Sequence, residues 1–423
     1  MASGTVPFIN VDVLLAQAQA ATAAMAAART AAVEGHLQRV LAAFRAERLG
    51  PHHFASVSGY GHADSGRDSL DRVYARVMGA EAAAVRLQFV SGTHAIAAAL
   101  FGLLRPGDLL LAVAGRPYDT LEWVIGLRGE GRGSLAEFGI GYDELPLRPD
   151  GCVDEVALAD ALACKPRLLL IQRSRGYSWR PSLDPDTIGR ICELAHHRSP
   201  DSICFVDNCY GEFVAAVEPT ACGADLMAGS LIKNPGGTIV PCGGYLAGRA
   251  ELVEQACCRL TAPGIGSRGG TSFDLNRLLF QGLFLAPQMV SEALIGNDLV
   301  AHVFQQLGYA VSPQPGDVRN DVIQAVRLGD PQLLARVCRA FQAASPVGSY
   351  LEPTPAPMAG YGSALVMAGG TFIDGSTSEF SADAPLREPY VLFCQGGSHR
   401  AHVLLALRAA LRALTEHPPT TLP

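Results

Sequence analysis

The run Ser202-Ile-Cys-Phe-Val-Asp207 ends on a carboxylate, and 26 residues later (233 minus 207) the run Ser230-Leu-Ile-Lys233 ends on a lysine, just before Asn234-Pro-Gly-Gly237. A lysine amine can form an imine with an aldehyde. A carboxylate can hold a pyridine nitrogen protonated, so that the ring accepts electrons. Together these are the two groups that pyridoxal 5'-phosphate requires of a protein. A carboxylate at the end of an apolar strand is costly to bury without a cationic partner, and a protonated ring nitrogen would be one.

A phosphate needs donors near by. Ser91-Gly92-Thr93 joins an apolar run to a helix start, where free backbone N–H groups and the helix dipole favour an anion. The same triplet also reads as an ordinary N-cap. Ser230, three residues before Lys233, offers a hydroxyl to the same group. Tyr118 opens a helix and could lay its ring on a planar cofactor, although a helix-start tyrosine also serves in plain packing. The Ser230-x-x-Lys233 spacing matches a serine acyl-enzyme motif as well, but the Ser-Asp-Asn and Lys-Thr-Gly elements that accompany it are missing from the sequence.

Other motifs carry less. Gly264-Ile-Gly-Ser-Arg-Gly269 spells G-x-G-x-x-G but follows a helix and Pro263 rather than a strand, so the dinucleotide reading fails. His196-His197 and His399-x-x-His402 fall on predicted helices with no third ligand near in sequence, and no metal is expected. Tyr60 and Asp64-Ser-Gly-Arg67-Asp68 read as a polar, glycine-rich loop ahead of the main domain, either a simple turn or a loop that reaches another site.

The elements that must hold these residues follow from the hydropathy pattern. Strand-like runs at Val85–Val90, Asp108–Ala114, Arg167–Gln172, Ile203–Val206, Leu226–Ile232 and Gly244–Ala247 alternate with helical stretches at Thr93–Leu104, Tyr118–Leu127 and Asp184–His197. This spacing predicts an α/β fold with a mostly parallel sheet covered on both faces, and in such a sheet the ligand lies at the carboxyl ends of the strands. After Arg249 come helices at Glu251–Leu260 and Leu275–Phe304. A smaller α+β unit follows, with strands at Tyr309–Val311, Val322–Val326, Ala364–Met367 and Tyr390–Cys394 and helices at Leu333–Ala343 and Ala401–Leu414. The expected organisation is an N-terminal helical segment over 1–58, a large cofactor-binding domain over 59–306 and a C-terminal small domain over 307–423. The alanine-rich stretch from Ala16 to Ala32 predicts a helix with no breaker until Gly35, covering another element or subunit.

Composition narrows the class. The 423 residues carry a net charge of −7 and few charged groups, which argues against nucleic-acid binding and for a small-molecule ligand. Eleven scattered cysteines without a C-x-x-C pair suit a reducing compartment, and the alanine-rich start lacks the layout of a signal peptide. No stretch of about 18 uninterrupted apolar residues appears, so a cytoplasmic protein that does not enter a membrane is expected.

The motifs taken together resemble a known family. Gly59-Tyr-Gly61, Gly66-Arg-Asp68, Ser91-Gly-Thr-His-Ala95, Val206-Asp-Asn-Cys-Tyr-Gly-Glu-Phe213, Gly223-Ala-Asp225 and Gly229-Ser-Leu-Ile-Lys-Asn-Pro-Gly-Gly237 are similar to the aluminium-resistance or methionine γ-lyase-like family of the Cys/Met-metabolism pyridoxal-phosphate enzymes. Pro263-Gly-Ile-Gly266 and Arg387-Glu-Pro-Tyr390 extend the resemblance to nearly the whole chain. The resemblance implies fold type I, the transferase-like fold of these enzymes, and a carbon–sulfur lyase acting on a sulfur amino acid by methionine γ-lyase-like or cystathionine β-lyase-like elimination. Transfer, racemisation, β-elimination from cysteine and a non-catalytic cofactor-binding protein are the alternatives. It implies an internal aldimine on Lys233, Asp207 on the pyridinium nitrogen, Ser91, Gly92, Thr93 and Ser230 around the phosphate, and Tyr118 stacked on the ring and assisting elimination. It also implies a homodimer or homotetramer with active sites at the dimer interface, where Tyr60 and Arg67 reach the partner's phosphate. Arg387 is the first candidate for the substrate carboxylate, because a guanidinium binds it bidentately, with Arg173 and Arg175 as competitors.

Overall fold

The computed structural model describes residues 10–416. Its chain divides into two compact units, one over Glu34–Pro287 and the other formed by the described residues before Glu34 together with those from Gln288 on. Two long helices cross the division: α1 (Val11–Ala46) and α8 (Asn276–Gln306), the latter at Pro287, where the missing N–H weakens the helical ladder. The sequence reading puts its boundaries at 58 and 306 instead. Helix α1 also runs straight through Gly35, because one glycine costs about 1 kcal/mol in a helix interior, too little to stop 36 residues. By length and composition α1 and α8 could each cross a bilayer. In α8, 67% of the most apolar window is buried, as in a core helix, against 17% in α1.

The larger unit holds α2 (Ser65–Met78), β1 (Ala82–Arg86), α3 (Gly92–Leu103), β2 (Leu109–Ala112), α4 (Asp119–Ile125), β3 (Gly141–Glu144), α5 (Glu155–Ala161) and β4 (Leu168–Gln172). It continues with α6 (Pro185–Arg198), β5 (Ile203–Asp207), β6 (Leu226–Ser230), β7 (Gly244–Gly248) and α7 (Ala250–Leu260). The sheet order is β1-β7-β6-β5-β4-β2-β3. The neighbours β3, β2, β4, β5 and β6 run parallel, and β7 is antiparallel to both β6 and β1. The expected mostly parallel sheet is therefore present, and β1 points the same way as β6. Leu110, Leu168, Leu170, Ile203, Phe205, Leu226, Ala228 and Leu246 join α3, α4 and α7 in one core. Their alternates Leu111, Leu169, Ile171, Cys204, Val206, Met227 and Tyr245 are equally buried, so both faces are covered.

Several features of this unit escaped the sequence pattern, helix α5 among them. The stretch Asp64–Asp68 is not a loop but the start of α2, with the Asp64 carboxylate accepting the N–H of Arg67 as an N-cap. Strand β3 is the polar edge Gly-Tyr-Asp-Glu, which carries no apolar run to detect. Strand β1 also begins three residues earlier than expected and ends at Arg86, and Leu87 to Val90 form the turn into α3 instead.

The second unit has β8 (Ala310–Ser312), β9 (Ile323–Arg327), α9 (Pro331–Ala343), β10 (Leu365–Ala368), β11 (Ser381–Pro385), β12 (Val391–Gln395) and α10 (Arg400–Glu416). Its antiparallel sheet, ordered β10-β11-β12-β9-β8, shares a core with α9 and α10 through Val366, Leu392, Leu334, Phe341, Leu407 and Leu411. This is the expected α+β unit. The sequence reading omits β11, whose Ser-Ala-Asp-Ala-Pro carries little hydropathy signal.

Candidate functional site

The carboxyl ends of β1, β5 and β6 converge on one place. Asp207 closes β5, and its buried carboxylate accepts the backbone N–H of Cys209 at 3.1 Å. Burial pushes its pKa up, while the bonds from Cys209 and the charges of Lys233 and Arg180 pull it down, with burial the largest influence. Lys233 lies three residues beyond the end of β6, half-buried, at the start of a 3-10 turn over Asn234–Gly236. That turn needs its glycines, since a Cβ on Gly236 would fall 1.8 Å from the Leu231 carbonyl and Gly237 has φ +54°. The sequence contains two lysines. The other, Lys165, is exposed before β4, at the amino edge of the sheet.

The proposed phosphate residues meet beside them. Ser91 caps α3, its Oγ accepting the N–H of His94 at 3.1 Å, so this hydroxyl serves the helix first. Gly92 is packed against β5 and β6, where a Cβ would stand 3.0 Å from Ser230 Cβ and 3.1 Å from Cys209 Sγ. Ser230 Oγ is buried and has no hydrogen-bond partner among the described residues. An unpaired buried hydroxyl is uncommon, and this one sits at the N-terminus of a 12-residue helix. Thr93 Oγ1 and Tyr118 OH are 3.4 Å apart. Tyr118 is the N-cap residue of α4, and burial, followed by the negative charge of Asp207, pushes its phenol well above its ordinary pKa and keeps it protonated.

Three residues near the pair were missed by sequence reasoning. Tyr210 puts its ring 3.8 Å, centroid to Nζ, from Lys233, and it holds φ +73°, a conformation that non-glycine residues adopt at a cost. Glu212 is buried, and burial pushes its pKa up to about 8. Cys209 is buried too, and burial and then Asp207 push its thiol well above the ordinary range. All three lie in the Asn-Cys-Tyr-Gly-Glu stretch after Asp207, where proximity to the strand end was the available signal.

The arginines separate. Arg173 is fully buried and turned into the protein, where Nη1 donates to Asn208 Oδ1 at 2.7 Å and pairs with Glu218 at 3.3 Å. Arg175 is buried in the same unit. Arg387 is exposed and belongs to the second unit, in the turn between β11 and β12. Arg67 is buried, donating Nη1 to the carbonyls of Gly61 and Gly270 at 2.8 and 3.0 Å, and it pairs with Asp68. It thereby ties down the loop that carries Tyr60, a residue that is 81% exposed. The Gly264–Gly269 motif forms a turn with a short 3-10 segment, not a strand-to-helix phosphate loop. His196 pairs with Asp225 at 2.8 Å. Asp225 Oδ2 also accepts the Cys204 N–H, so backbone and side-chain bonding accounts for the cluster His196, Cys204 and Asp225.

A doubly covered, mostly parallel sheet with an antiparallel β7 and a lysine–aspartate pair at its carboxyl edge defines fold type I of the pyridoxal-phosphate-dependent enzymes. Cystathionine gamma synthase of Xanthomonas oryzae pv. oryzae shares the fold, with TM-score 0.60 at 20% identity over 91% of this chain and 98% of that one. The chain belongs to the methionine gamma-lyase family, which matches residues 11–415. It is 46% identical over 379 residues to the uncharacterized protein YnbB of Bacillus subtilis (strain 168), covering 89% of this chain and 90% of that one. A carbon-sulfur lyase involved in aluminum resistance from Clostridium novyi NT has TM-score 0.91 and 44% identity, covering 95% of each chain.

Proposed function

We propose that this chain is a pyridoxal-phosphate-dependent carbon–sulfur lyase that eliminates a thiol from a sulfur amino acid, as in methionine γ-lyase-like or cystathionine β-lyase-like chemistry. The observation that carries the reading is the meeting of Asp207, Lys233 and the unpartnered Ser230 hydroxyl at one sheet edge, in a chain whose other lysine lies at the opposite edge. These residues fit the cofactor. Lys233 Nζ is the attachment point for its aldehyde, Asp207 the partner of its ring nitrogen, and Ser230 Oγ with the N–H groups of Gly92 and Thr93 and the Ser91 turn the cradle of its phosphate.

When bound, the cofactor supplies an electron sink for the pair left on the substrate α-carbon. Once displaced from the aldehyde by the substrate amine, Lys233 Nζ would be free to take the α-proton as general base, which suffices for β-elimination, while γ-elimination would also require it to remove a β-proton. Asp207 would pair with the ring nitrogen and so hold it protonated. Tyr118, held protonated by burial, donates its phenolic proton to the departing sulfur. The products are a thiol and, after addition of water, a 2-oxo acid and ammonia. Arg387, Arg175 and Arg173 are the guanidinium candidates for the substrate carboxylate, and the buried ion pair of Arg173 with Glu218 counts against the last. The exposure of Tyr60, on a loop that Arg67 holds in place, supports a homodimer or larger homo-oligomer in which this ring reaches the neighbouring subunit's site.

The test is product analysis of the cofactor-loaded protein against methionine, cystathionine, cysteine and homocysteine. Equal amounts of 2-oxo acid, ammonia and the released sulfur compound (methanethiol from methionine, an amino-acid thiol from cystathionine, hydrogen sulfide from homocysteine) from at least one substrate other than cysteine is the expected result, and release from cysteine alone favours the alternative of β-elimination from cysteine. Transamination or racemisation without thiol release would overturn the lyase assignment.

A further inference from the structure

The residues that follow the two cofactor groups in sequence, Asn208 after Asp207 and Asn234 after Lys233, are both fully buried, and both lead to Glu212, Asn208 by way of the Tyr245 hydroxyl and Asn234 through the Glu212 backbone carbonyl. Asn208 Nδ2 donates to Tyr245 OH at 3.2 Å. Tyr245 OH donates to Glu212 Oε1 at 2.9 Å. Asn234 Nδ2 donates to the Glu212 backbone carbonyl at 2.9 Å. A buried path therefore runs from the Asp207 strand end to the Lys233 turn through Tyr245 and Glu212, passing within Glu212 from its carboxyl group, which Tyr245 bonds, to its backbone carbonyl, which Asn234 bonds. It is anchored on its far side by Arg173 and Glu218, both bonded to Asn208.

The path also packs under Ser230. Tyr245 stands opposite Gly229 in the β6–β7 ladder, and a Cβ on Gly229 would come 2.5 Å from both Glu212 Oε1 and the Tyr245 ring. Only glycine leaves that room, so the bridge presses on the backbone next to Ser230. Nothing in stability alone calls for such a chain, because well-packed apolar residues of the same shape are often as stable as a buried polar network. What a satisfied network adds is a single geometry. One atom in it, Glu212 Oε2, is buried without a hydrogen-bond partner among the described residues.

We propose that Glu212 and Tyr245 are positioning residues that, through Asn234 and Asn208, fix the Lys233 amine and the Asp207 carboxylate relative to each other. This inference rests on the cofactor reading above. Neither residue touches the reacting atoms, so both act through their neighbours.

The test uses the full chain as wild type, Tyr245→Phe, Glu212→Ala and Glu212→Gln. It reads the pyridoxal-phosphate dissociation constant and the pH midpoint of the visible band of the Lys233-bound cofactor. In Tyr245→Phe and Glu212→Ala, affinity is expected to fall about tenfold and the midpoint to move by about half a unit, the scale of one lost buried hydrogen bond. Glu212→Gln keeps the Oε1 acceptor and is expected to recover most of both losses. Variants that melt lower but keep the wild-type affinity and midpoint would overturn the proposal while leaving the cofactor reading intact. Wild type that takes up no cofactor on Lys233 would overturn both. Should Tyr245→Phe not fold, Asn234→Ala cuts the same path at its last link, and an unmoved midpoint there is equally contrary.

Discussion

Lys233 Nζ lies over the face of the Tyr210 ring, 3.8 Å from its centroid. Tyr210 reaches that position from a backbone with φ +73°, three residues after the Asp207 carboxylate. A ring face attracts an ammonium by about 0.5–1 kcal/mol at an exposed site and by more when both are desolvated. The strained tyrosine thus aims the amine along the sheet edge on which Asp207 and Ser230 also lie. Tyr210→Phe, which keeps the ring, is expected to load cofactor like wild type. Tyr210→Ala is expected to bind it about fivefold more weakly. Equal affinities in a fluorescence titration would show that the ring does not guide the lysine.

Ser230 gives a prediction with two opposite signs. Its Oγ is buried without a partner among the described residues, so Ser230→Ala removes an unsatisfied group and should leave the melting temperature of the cofactor-free protein unchanged or raised. The same change removes a phosphate donor, and cofactor affinity should drop about tenfold. A variant that melts lower without cofactor, yet binds it normally, would assign the hydroxyl to the fold rather than to the phosphate.

The charge of Asp207 is separable from its shape. Asp207→Asn preserves the outline and the contact with the Cys209 N–H but cannot hold a ring nitrogen protonated. Turnover on the best substrate should fall by about a hundredfold or more, as when a preorganised charge is removed from a reaction centre. A loss below about threefold would mean that the carboxylate is structural.

Glu212 predicts a pH dependence of folding. Burial raises its pKa from 4.5 to about 8 in the folded protein. Between those values the folded state binds the proton that the unfolded chain gives up. The contribution of this group to stability is therefore fully present below pH 4.5 and is lost as the pH rises through about 8. Glu212→Gln cannot titrate, so the stability difference between variant and wild type should shift in favour of the variant across that window. Urea unfolding of the cofactor-free proteins at several pH values measures it, and a difference that does not change with pH would contradict the burial argument.

The parts of this site that were legible in sequence are those that sit where a hydrophobic run stops. Asp207 and Ser230 end strands, Lys233 and Ser91 to Thr93 follow them, and the alternation of strands with helices was enough to put them at one edge. Tyr245 was not legible, because it reads as one more apolar strand residue and its partner Glu212 is 33 positions away (245 minus 212). Arg67 looked available to a ligand but folds inward, since its neighbours Gly61 and Gly270 leave their carbonyls for it to satisfy. Asp64 looked like part of a loop, because a capping residue and a turn residue have the same composition.

If the cofactor sits at this sheet edge, Lys233 carries it. The most direct measurement is borohydride reduction of the protein loaded with pyridoxal phosphate, followed by peptide mass mapping. With only two lysines in the chain the outcome is unambiguous. The reduced phosphopyridoxyl mass is predicted on the peptide containing Lys233, with none on Lys165 and none in Lys233→Ala. Label on Lys165 alone, or no stable label at all, would contradict it.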